Sequence, residues 1–205
     1  MHTIPINTEE NSLEILGGKG RSLARMTRSG FRVPDGFIVT ADAYRDFVNT
    51  CGIQEEIIEL AKPDLKNGYP NFEECSKKIQ LIIESNQTPD STRNEIIEAY
   101  EGLSGKDLRM AVRSSANAED LPELSFAGQQ ETFLNISTSA AIIESVHKCW
   151  ASLWTPQAIS YRHQNGIDQS SVAMAVVVQK MIPSEVSGIL FTCLLYTSPS
   201  PRDGI

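Results

Sequence analysis

The sequence lacks three features that would indicate a membrane, exported or zinc-binding protein. No apolar run approaches the roughly 18 to 20 residues that a membrane-spanning helix needs, and the first residues, MHTIPINTEE, do not have the pattern of a signal peptide. The four cysteines, Cys51, Cys75, Cys149 and Cys193, lie far apart without a second ligand at zinc spacing. We therefore expect reduced thiols in a cytoplasmic protein that has no membrane partner.

Basic charge is also scarce. The 205 residues include 18 Lys and Arg against 26 Asp and Glu, for a net charge of −8. Nucleic acids and anionic membranes bind basic surfaces, so this balance argues against both as the main partner. A small anionic ligand is still compatible with it, because a few local cations outweigh distant charges that solvent screens. The length is sufficient for one or two domains with a sizeable core.

Hydrophobic periodicity and turn residues predict an α+β fold. The predicted helices cover 21–29, 41–48, 53–62, 71–86, 90–103, 140–154 and 156–163, and the predicted strands cover 37–40, 109–115, 131–136, 171–182 and 187–192. The last two strands are expected to form a hairpin across 183–186. Residues of about 50–105 then form a helical insertion between a small N-terminal sheet element and a second sheet.

Several residues predict where helices begin. Thr40 precedes one helical run, and Asn71 precedes another with Glu74 three residues on, as in a capping box. Thr155 followed by Pro156 is a further helix-opening pair.

The last thirteen residues, CLLYTSPSPRDGI at 193–205, do not continue these patterns. They resemble the translated read-through of a sequencing adapter, so we expect a non-native tail. The natural chain is then expected to continue beyond Thr192, and residues 1–192 form a partial domain.

Gly17-Gly18-Lys19-Gly20 places a lysine in a glycine turn where a helix begins. Each glycine in a helix costs about 1 kcal/mol relative to alanine, so a bare backbone must be needed there. The turn is not a P-loop, because that motif requires a glycine five residues before Gly18 and Ser or Thr at the place of Gly20. Two interpretations stay open: close approach to a phosphate, or a tight turn with a solvated lysine.

Residues 111–136, AVRSSANAEDLPELSFAGQQETFLNI, form the second candidate segment. A predicted strand brings Arg113 to its polar end, and a loop of small residues follows. Arginine forms bidentate contacts with phosphate oxygens, and serine hydroxyls and backbone amides can complete an anion site. The alternative is an arginine on an edge strand paired with Glu119 or Asp120.

A series of motifs in chain order identifies a resemblance over residues 8 to 192. The motifs are GGKG at 17–20, VPDGFIVTADAYRDF at 33–47, the segment at 111–136, SLWTPQAISYR at 152–162 and VAMAVVVQKMIPSEVSGILFT at 172–192. Together they resemble the N-terminal nucleotide-binding domain of the pyruvate,water dikinase (phosphoenolpyruvate synthase) and pyruvate,phosphate dikinase family. The resemblance implies an ATP-grasp-like fold in which ATP lies between two lobes.

The resemblance also implies roles for particular residues. Lys19 would neutralise the ATP phosphates and Arg113 would clamp them. The other implied ATP-binding positions are those beside the phosphates or at the adenine edge: Gly18, Gly128, Thr132, Gln179, Lys180 and Met181. The main-chain N–H and C=O groups of residues 180–182, expected to be unpaired at a strand edge, would bind adenine as a partner base does.

The family's activity is to phosphorylate a histidine of a later domain with Mg-ATP and then to pass the phosphate to pyruvate, which gives phosphoenolpyruvate. The resemblance implies magnesium ligands in the downstream half, none in this chain, and a homodimer of the whole enzyme. An antibiotic phosphotransferase of the rifampicin type is the alternative enzyme. Two alternatives are not enzymes: a nucleotide-binding module without catalysis, and a truncated domain that does not fold.

The remaining candidates favour structural roles. His2, His147 and His163 match no phosphohistidine motif. Trp150 and Trp154 are four residues apart on one predicted helix, a spacing that is more typical of core packing than of a binding site.

Overall fold

The computed structural model describes residues 1–66, 69–103, 108–116 and 131–188. The strands in this part are β1 (Thr3–Pro5), β2 (Gly36–Val39), β3 (Asp64–Lys66), β4 (Tyr69–Asn71), β5 (Met110–Ala116), β6 (Thr132–Ile136) and β7 (Met174–Lys180). The helices are α1 (Leu13–Arg28), α2 (Ala41–Thr50), α3 (Gln54–Leu60), α4 (Glu73–Ser85), α5 (Asp90–Glu101), α6 (Ser139–Ser152) and α7 (Pro156–Gln164).

Five strands form one antiparallel sheet in the order β1-β2-β7-β5-β6. The strand β7 is central and almost entirely buried, as its run of β-branched residues requires. The strands β3 and β4 form a separate antiparallel hairpin. The α+β fold class is therefore confirmed.

The two faces of the sheet carry different helices. Directly paired residues lie on the same face, and Ile38, Val177, Arg113 and Thr132 form one such row across four strands. The helix α1 packs on this face, because Gly20 lies against Ile38. We call it the α1 face. The helix α6 covers the opposite face, since Phe133, one residue beyond Thr132, lies 5.9 Å from the Lys148 ammonium.

The core between α2 and α6 is aromatic. Trp150 stacks on Phe47 at 5.0 Å between ring centroids, and the Trp154 indole N–H donates to the Tyr44 hydroxyl at 2.9 Å. Burial raises the pKa of Tyr44 to about 12, so the phenol stays neutral. Both tryptophans are fully buried, and the interpretation of this pair as core packing is confirmed.

The region of about 50–105 contains α3, α4 and α5, but it also contains the β3–β4 hairpin, which the sequence analysis missed. The signal was present, because Asn67-Gly68 is a dipeptide typical of two-residue hairpin turns. The region also packs into the main core through Ile79, Ile83 and Ile96.

The helix predicted over 21–29 begins earlier, at Leu13. The strand predicted over 171–182 is shorter, and residues 187–188 are not in a strand. Residues 189–192 of the predicted hairpin partner, and the predicted tail at 193–205, lie outside the described residues.

The predicted helix caps have mixed outcomes. The Thr155 hydroxyl accepts a hydrogen bond from the Ala158 amide at 3.3 Å, as expected. Thr40 stands at the N-cap of α2, but its hydroxyl donates instead to the Met1 carbonyl at 3.4 Å. Asn71 accepts from the Glu73 amide at 3.0 Å, although Phe72 holds the N-cap position of α4.

His2 and His147 have structural contacts. The His2 ring lies 3.0 Å from the Thr92 hydroxyl and 3.1 Å from the Glu95 carboxylate, so it joins the N-terminus to α5. The His147 ring lies 2.6 Å from the Thr88 hydroxyl and stacks on Trp150. Burial lowers the pKa of His147.

We expect the stability of the domain to depend on His147 below neutral pH. Because the pKa of His147 is lower in the folded chain than in the unfolded chain, the unfolded chain takes up the proton first. Stability should therefore fall as the pH decreases from about 6.5 toward the folded pKa, by at most about 1.4 kcal/mol per pH unit. The fall should be smaller in His147→Gln. Thermal denaturation from pH 7.5 to 5.5 measures both, and parallel curves would contradict the prediction.

Candidate nucleotide-binding site

The glycine turn interrupts α1. Gly17 has φ 66° and ψ 176°, a non-helical conformation, and a helical segment then continues to Arg28. An added Cβ at Gly17 would lie 1.9 Å from the backbone oxygen of Ser115 on β5. Both the left-handed backbone and the contact with β5 therefore require glycine at this position.

The Ser115 side chain joins this turn to the sheet. Its hydroxyl accepts a hydrogen bond from the Gly20 amide at 3.0 Å and donates one to the Leu16 carbonyl at 2.9 Å. The residue is fully buried. Residues nearly 100 positions apart in the sequence are thus in direct contact. The sequence analysis had considered the serines near Arg113 as direct phosphate ligands, whereas the structure uses the Ser115 hydroxyl internally.

Gly20 is also needed for packing. A Cβ there would approach the Ile38 side chain to 3.1 Å and that of Leu16 to 3.3 Å. The contacts of α1 with Ser115 and Ile38 therefore explain why Gly17 and Gly20 are glycines, and the approach of this turn to a phosphate stays a prediction. Gly18, which is buried, retains the role that the resemblance implies as a prediction.

Lys19 lies between these glycines and is half-buried. The charge of the Lys19 ammonium affects the pKa of the Cys149 thiol on α6. Burial and, next, the Glu131 carboxylate raise the pKa of the Cys149 thiol to about 12, while the Lys19 ammonium partly opposes this shift. The Lys19 ammonium is therefore within electrostatic range of α6.

Arg113 is on a central strand, not an edge strand, because β5 lies between β7 and β6. It is paired with Val177 on one side and Thr132 on the other. Arg113 and Ser115 are two residues apart on β5, so both lie on the α1 face. Within the part of the chain that the structure describes, the Arg113 side chain makes no hydrogen bond or ion pair. Its predicted alternative partners, Glu119 and Asp120, lie outside that part.

Thr132 is exposed beside Arg113, at the first position of β6. The structure therefore places Arg113 and Thr132 side by side on the α1 face, and it places Lys19 in the turn that contacts Ser115, two residues beyond Arg113. Gly128, another residue predicted to lie beside the phosphates, is outside the described residues.

Gln179 is on the same face as Arg113, because it is paired with Ala111, two residues before Arg113 on β5. At about 3.4 Å per residue, the two rows are separated by roughly 7 Å along the strands. The Gln179 amide donates to the Pro34 carbonyl at 3.1 Å, which fixes its side chain.

The expected free strand edge beside Gln179 is not present. β7 is central, and the amides of Lys180 and Met181 donate to the carbonyls of Asp35 and Arg109, both at 2.8 Å. Lys180 points to the face opposite Gln179, and its ammonium lies 3.2 Å from the Asp35 carboxylate. Neither amide is therefore available to an adenine base in this conformation.

Across residues 1–66, 69–103, 108–116 and 131–188, no three His, Cys, Asp or Glu side chains converge as metal ligands do. Within the same ranges, no helix is both long and apolar enough to cross a membrane.

The antiparallel sheet, with helices on both faces and the glycine turn bonded to β5, defines a domain of the α+β class. A family model described as "Pyruvate phosphate dikinase, AMP/ATP-binding domain" matches residues 13–203. Because the match covers most of the chain, the chain belongs to this family and is an ATP-binding domain.

The chain is similar to several longer proteins. It is 47% identical over 184 residues to a probable phosphoenolpyruvate synthase of Methanocaldococcus jannaschii, covering 88% of this chain and 16% of that protein. It is 45% identical over 189 residues to a probable phosphoenolpyruvate synthase of Archaeoglobus fulgidus, covering 91% and 25% respectively. It is 44% identical over 189 residues to a rifampicin phosphotransferase of Streptomyces sviceus, covering 90% and 21%. The chain thus spans a quarter or less of each of these three relatives.

We expect Gly17→Ala to destabilise the domain more than a positive φ alone would. Gly52→Ala is the matched control, because Gly52 has φ 65° but open space where a Cβ would lie. Gly52→Ala should lower the free energy of unfolding by about 1–2 kcal/mol, the usual penalty for a non-glycine residue with a left-handed backbone. Gly17→Ala should cost at least about 2 kcal/mol more, since the turn must move away from Ser115. Chemical denaturation measures both, and equal losses would contradict the contact.

Proposed function

We propose that this domain binds ATP on the α1 face, with the phosphates between Lys19 and Arg113 and the base toward Gln179. The observation that carries this proposal is the contact of the Gly17–Gly20 turn with Ser115, two residues beyond Arg113 on the same face of β5. The turn that carries Lys19 is thus bonded to the strand that carries Arg113, although the two residues are far apart in the sequence.

The two cations have complementary chemistry. The Lys19 ammonium is a compact charge, and the Arg113 guanidinium presents a planar set of donors that matches phosphate oxygens. Gly18 and Lys19 open the helical segment that follows Gly17, where the helix dipole adds partial positive charge. The Thr132 hydroxyl, exposed beside Arg113, is available as a further donor.

The base would lie at the other end of the same face. Gln179 lies there with its amide nitrogen bonded to the Pro34 carbonyl, and its amide oxygen would contact the base. Since the amides of Lys180 and Met181 are already bonded to opposite neighbours, we propose that the main-chain carbonyl of one of these two residues contacts the adenine amino group. This segment would then act through a main-chain acceptor instead of a donor.

We further propose that the whole protein is a phosphotransferase that phosphorylates a histidine of a later domain with ATP and then passes the phosphate to pyruvate, giving phosphoenolpyruvate. The names of the relatives in two archaea support this step. In such a transfer the protein acts mainly by positioning and charge neutralisation, which is the work assigned to Lys19 and Arg113. Cytoplasmic location, with Cys51, Cys75 and Cys149 as reduced thiols, and a homodimer belong to the same proposal.

Magnesium, when bound, supplies further neutralisation of phosphate charge. We propose that its protein ligands lie in the downstream half of the whole enzyme, as the family resemblance implies. No step of the proposal on this chain's residues therefore depends on the metal.

The alternative is an ATP-binding domain of a rifampicin phosphotransferase. A relative with that name is 44% identical, close to the 47% of a probable phosphoenolpyruvate synthase. Identity in this domain therefore does not separate the two phosphate acceptors.

Calorimetric titration of the chain with Mg-ATP tests the site. We expect Lys19→Ala and Arg113→Ala each to raise the Kd by about 10- to 100-fold, because a hydrogen bond to a charged group contributes about 1.5–3 kcal/mol. Arg25→Ala, on the exposed side of α1, is the charge-matched control. Its Kd should stay within about twofold of the wild-type value. Tight binding that neither Lys19→Ala nor Arg113→Ala weakens would contradict the site.

The phosphate acceptor is tested with the whole protein encoded by the gene. We expect phosphoenolpyruvate to form when Mg-ATP and pyruvate are supplied together, because the relatives with that activity in their names share this domain. Mass spectrometry of the products measures this. Phosphorylation of a rifamycin without turnover of pyruvate would instead support the alternative enzyme.

A further inference from the structure

We propose that Ser115 is a positioning residue of the ATP site, whose hydroxyl sets the place of Lys19 relative to Arg113. This inference rests on the proposed function, since it assumes that Lys19 contacts the nucleotide. It assigns to Ser115 no contact with ATP. The effect is instead transmitted through the turn that carries the lysine.

The first observation is the break in α1 at Gly17. A helical segment that begins after Gly17 leaves its first amides without partners inside that segment. In most helices the side chain of the N-cap residue accepts from the second or third of these amides. Gly17 has no side chain and cannot do so.

Ser115 supplies the missing cap from another strand. Its hydroxyl accepts from Gly20, the third residue after Gly17, and donates to Leu16, the residue before it. One buried hydroxyl therefore holds both sides of the break at distances of 3.0 and 2.9 Å. The backbone of Lys19 lies between these two hydrogen-bonded residues, Leu16 and Gly20.

The second observation is the place of Ser115 on β5. Arg113 precedes it by two residues and lies on the same face. The strand that carries one cation is therefore the strand that fixes the turn carrying the other. Without the hydroxyl, the turn would retain its packing against Ile38 but lose its hydrogen bonds to β5.

Ser114 provides a matched control. It is also fully buried on β5, and its hydroxyl also donates to a backbone carbonyl, that of Glu131, at 3.3 Å. As the neighbour of Ser115, it lies on the opposite face of the sheet, away from α1. A general loss of buried hydrogen bonding should therefore affect Ser114→Ala and Ser115→Ala alike.

The experiment is a double-mutant cycle on Mg-ATP affinity, measured by calorimetry alongside thermal denaturation of each variant. We expect Ser115→Ala to raise the Kd about tenfold and Ser114→Ala less than twofold, although both lower the melting temperature. In the Lys19→Ala background, the effect of Ser115→Ala should shrink to less than threefold, because Ser115 acts through the lysine. A merely structural role would not produce this coupling.

A conservative variant covers the case in which Ser115→Ala does not fold. Ser115→Cys has a similar shape, but its thiol is a weaker donor and acceptor. We therefore expect its Kd to be about three times the wild-type value, between those of the wild type and Ser115→Ala. If Lys19→Ala weakens binding while the Ser115 variants bind as the wild type does, the positioning role is overturned and the site stands. Equal effects of Ser115→Ala with and without Lys19 would also overturn it. If Lys19→Ala has no effect, the proposed site itself fails.

Discussion

The contact between the glycine turn of α1 and strand β5 determines the arrangement of the candidate site. Gly17 approaches the Ser115 backbone so closely that no side chain fits, and the Ser115 hydroxyl bonds to both sides of the helix break. Because the bonded groups are buried, leaving them unpaired would cost about 1–3 kcal/mol each. The turn and the strand are therefore expected to behave as one unit, with a cationic residue on each.

The sheet provides the frame for this unit. Its central strand, β7, is paired on both sides, and its α1 face presents residues in successive rows. The row of Arg113 and Thr132 lies toward the glycine turn, and the row of Gln179 lies toward the other end. In our proposal the nucleotide extends along this face, although the chain as a whole is acidic. Local placement of a few cations outweighs the net charge at short range.

Much of the fold could be predicted from local patterns. The β-branched run of β7 indicated a buried strand, and Thr155 with Pro156 marked the start of α7. The candidate residues Lys19 and Arg113 were identified because their motifs resemble those of a known family. The β3–β4 hairpin was missed, although Asn67-Gly68 indicated it, and the position of β5 away from the sheet edge was not predicted, because strand order depends on pairing between distant segments.

The amino-acid sequence by itself determined most of the helices and the longer strands, the family, and the residue types at the candidate site, because these depend on short-range periodicity and motifs. Only the tertiary structure decided why two of the glycines are needed and what the Ser115 hydroxyl does. It also showed that the amides of Lys180 and Met181 are already bonded. The physical reason is the same in each case. The groups that meet are separated by about 70 to 145 residues, and no local pattern specifies which distant backbone atom will lie within hydrogen-bond distance.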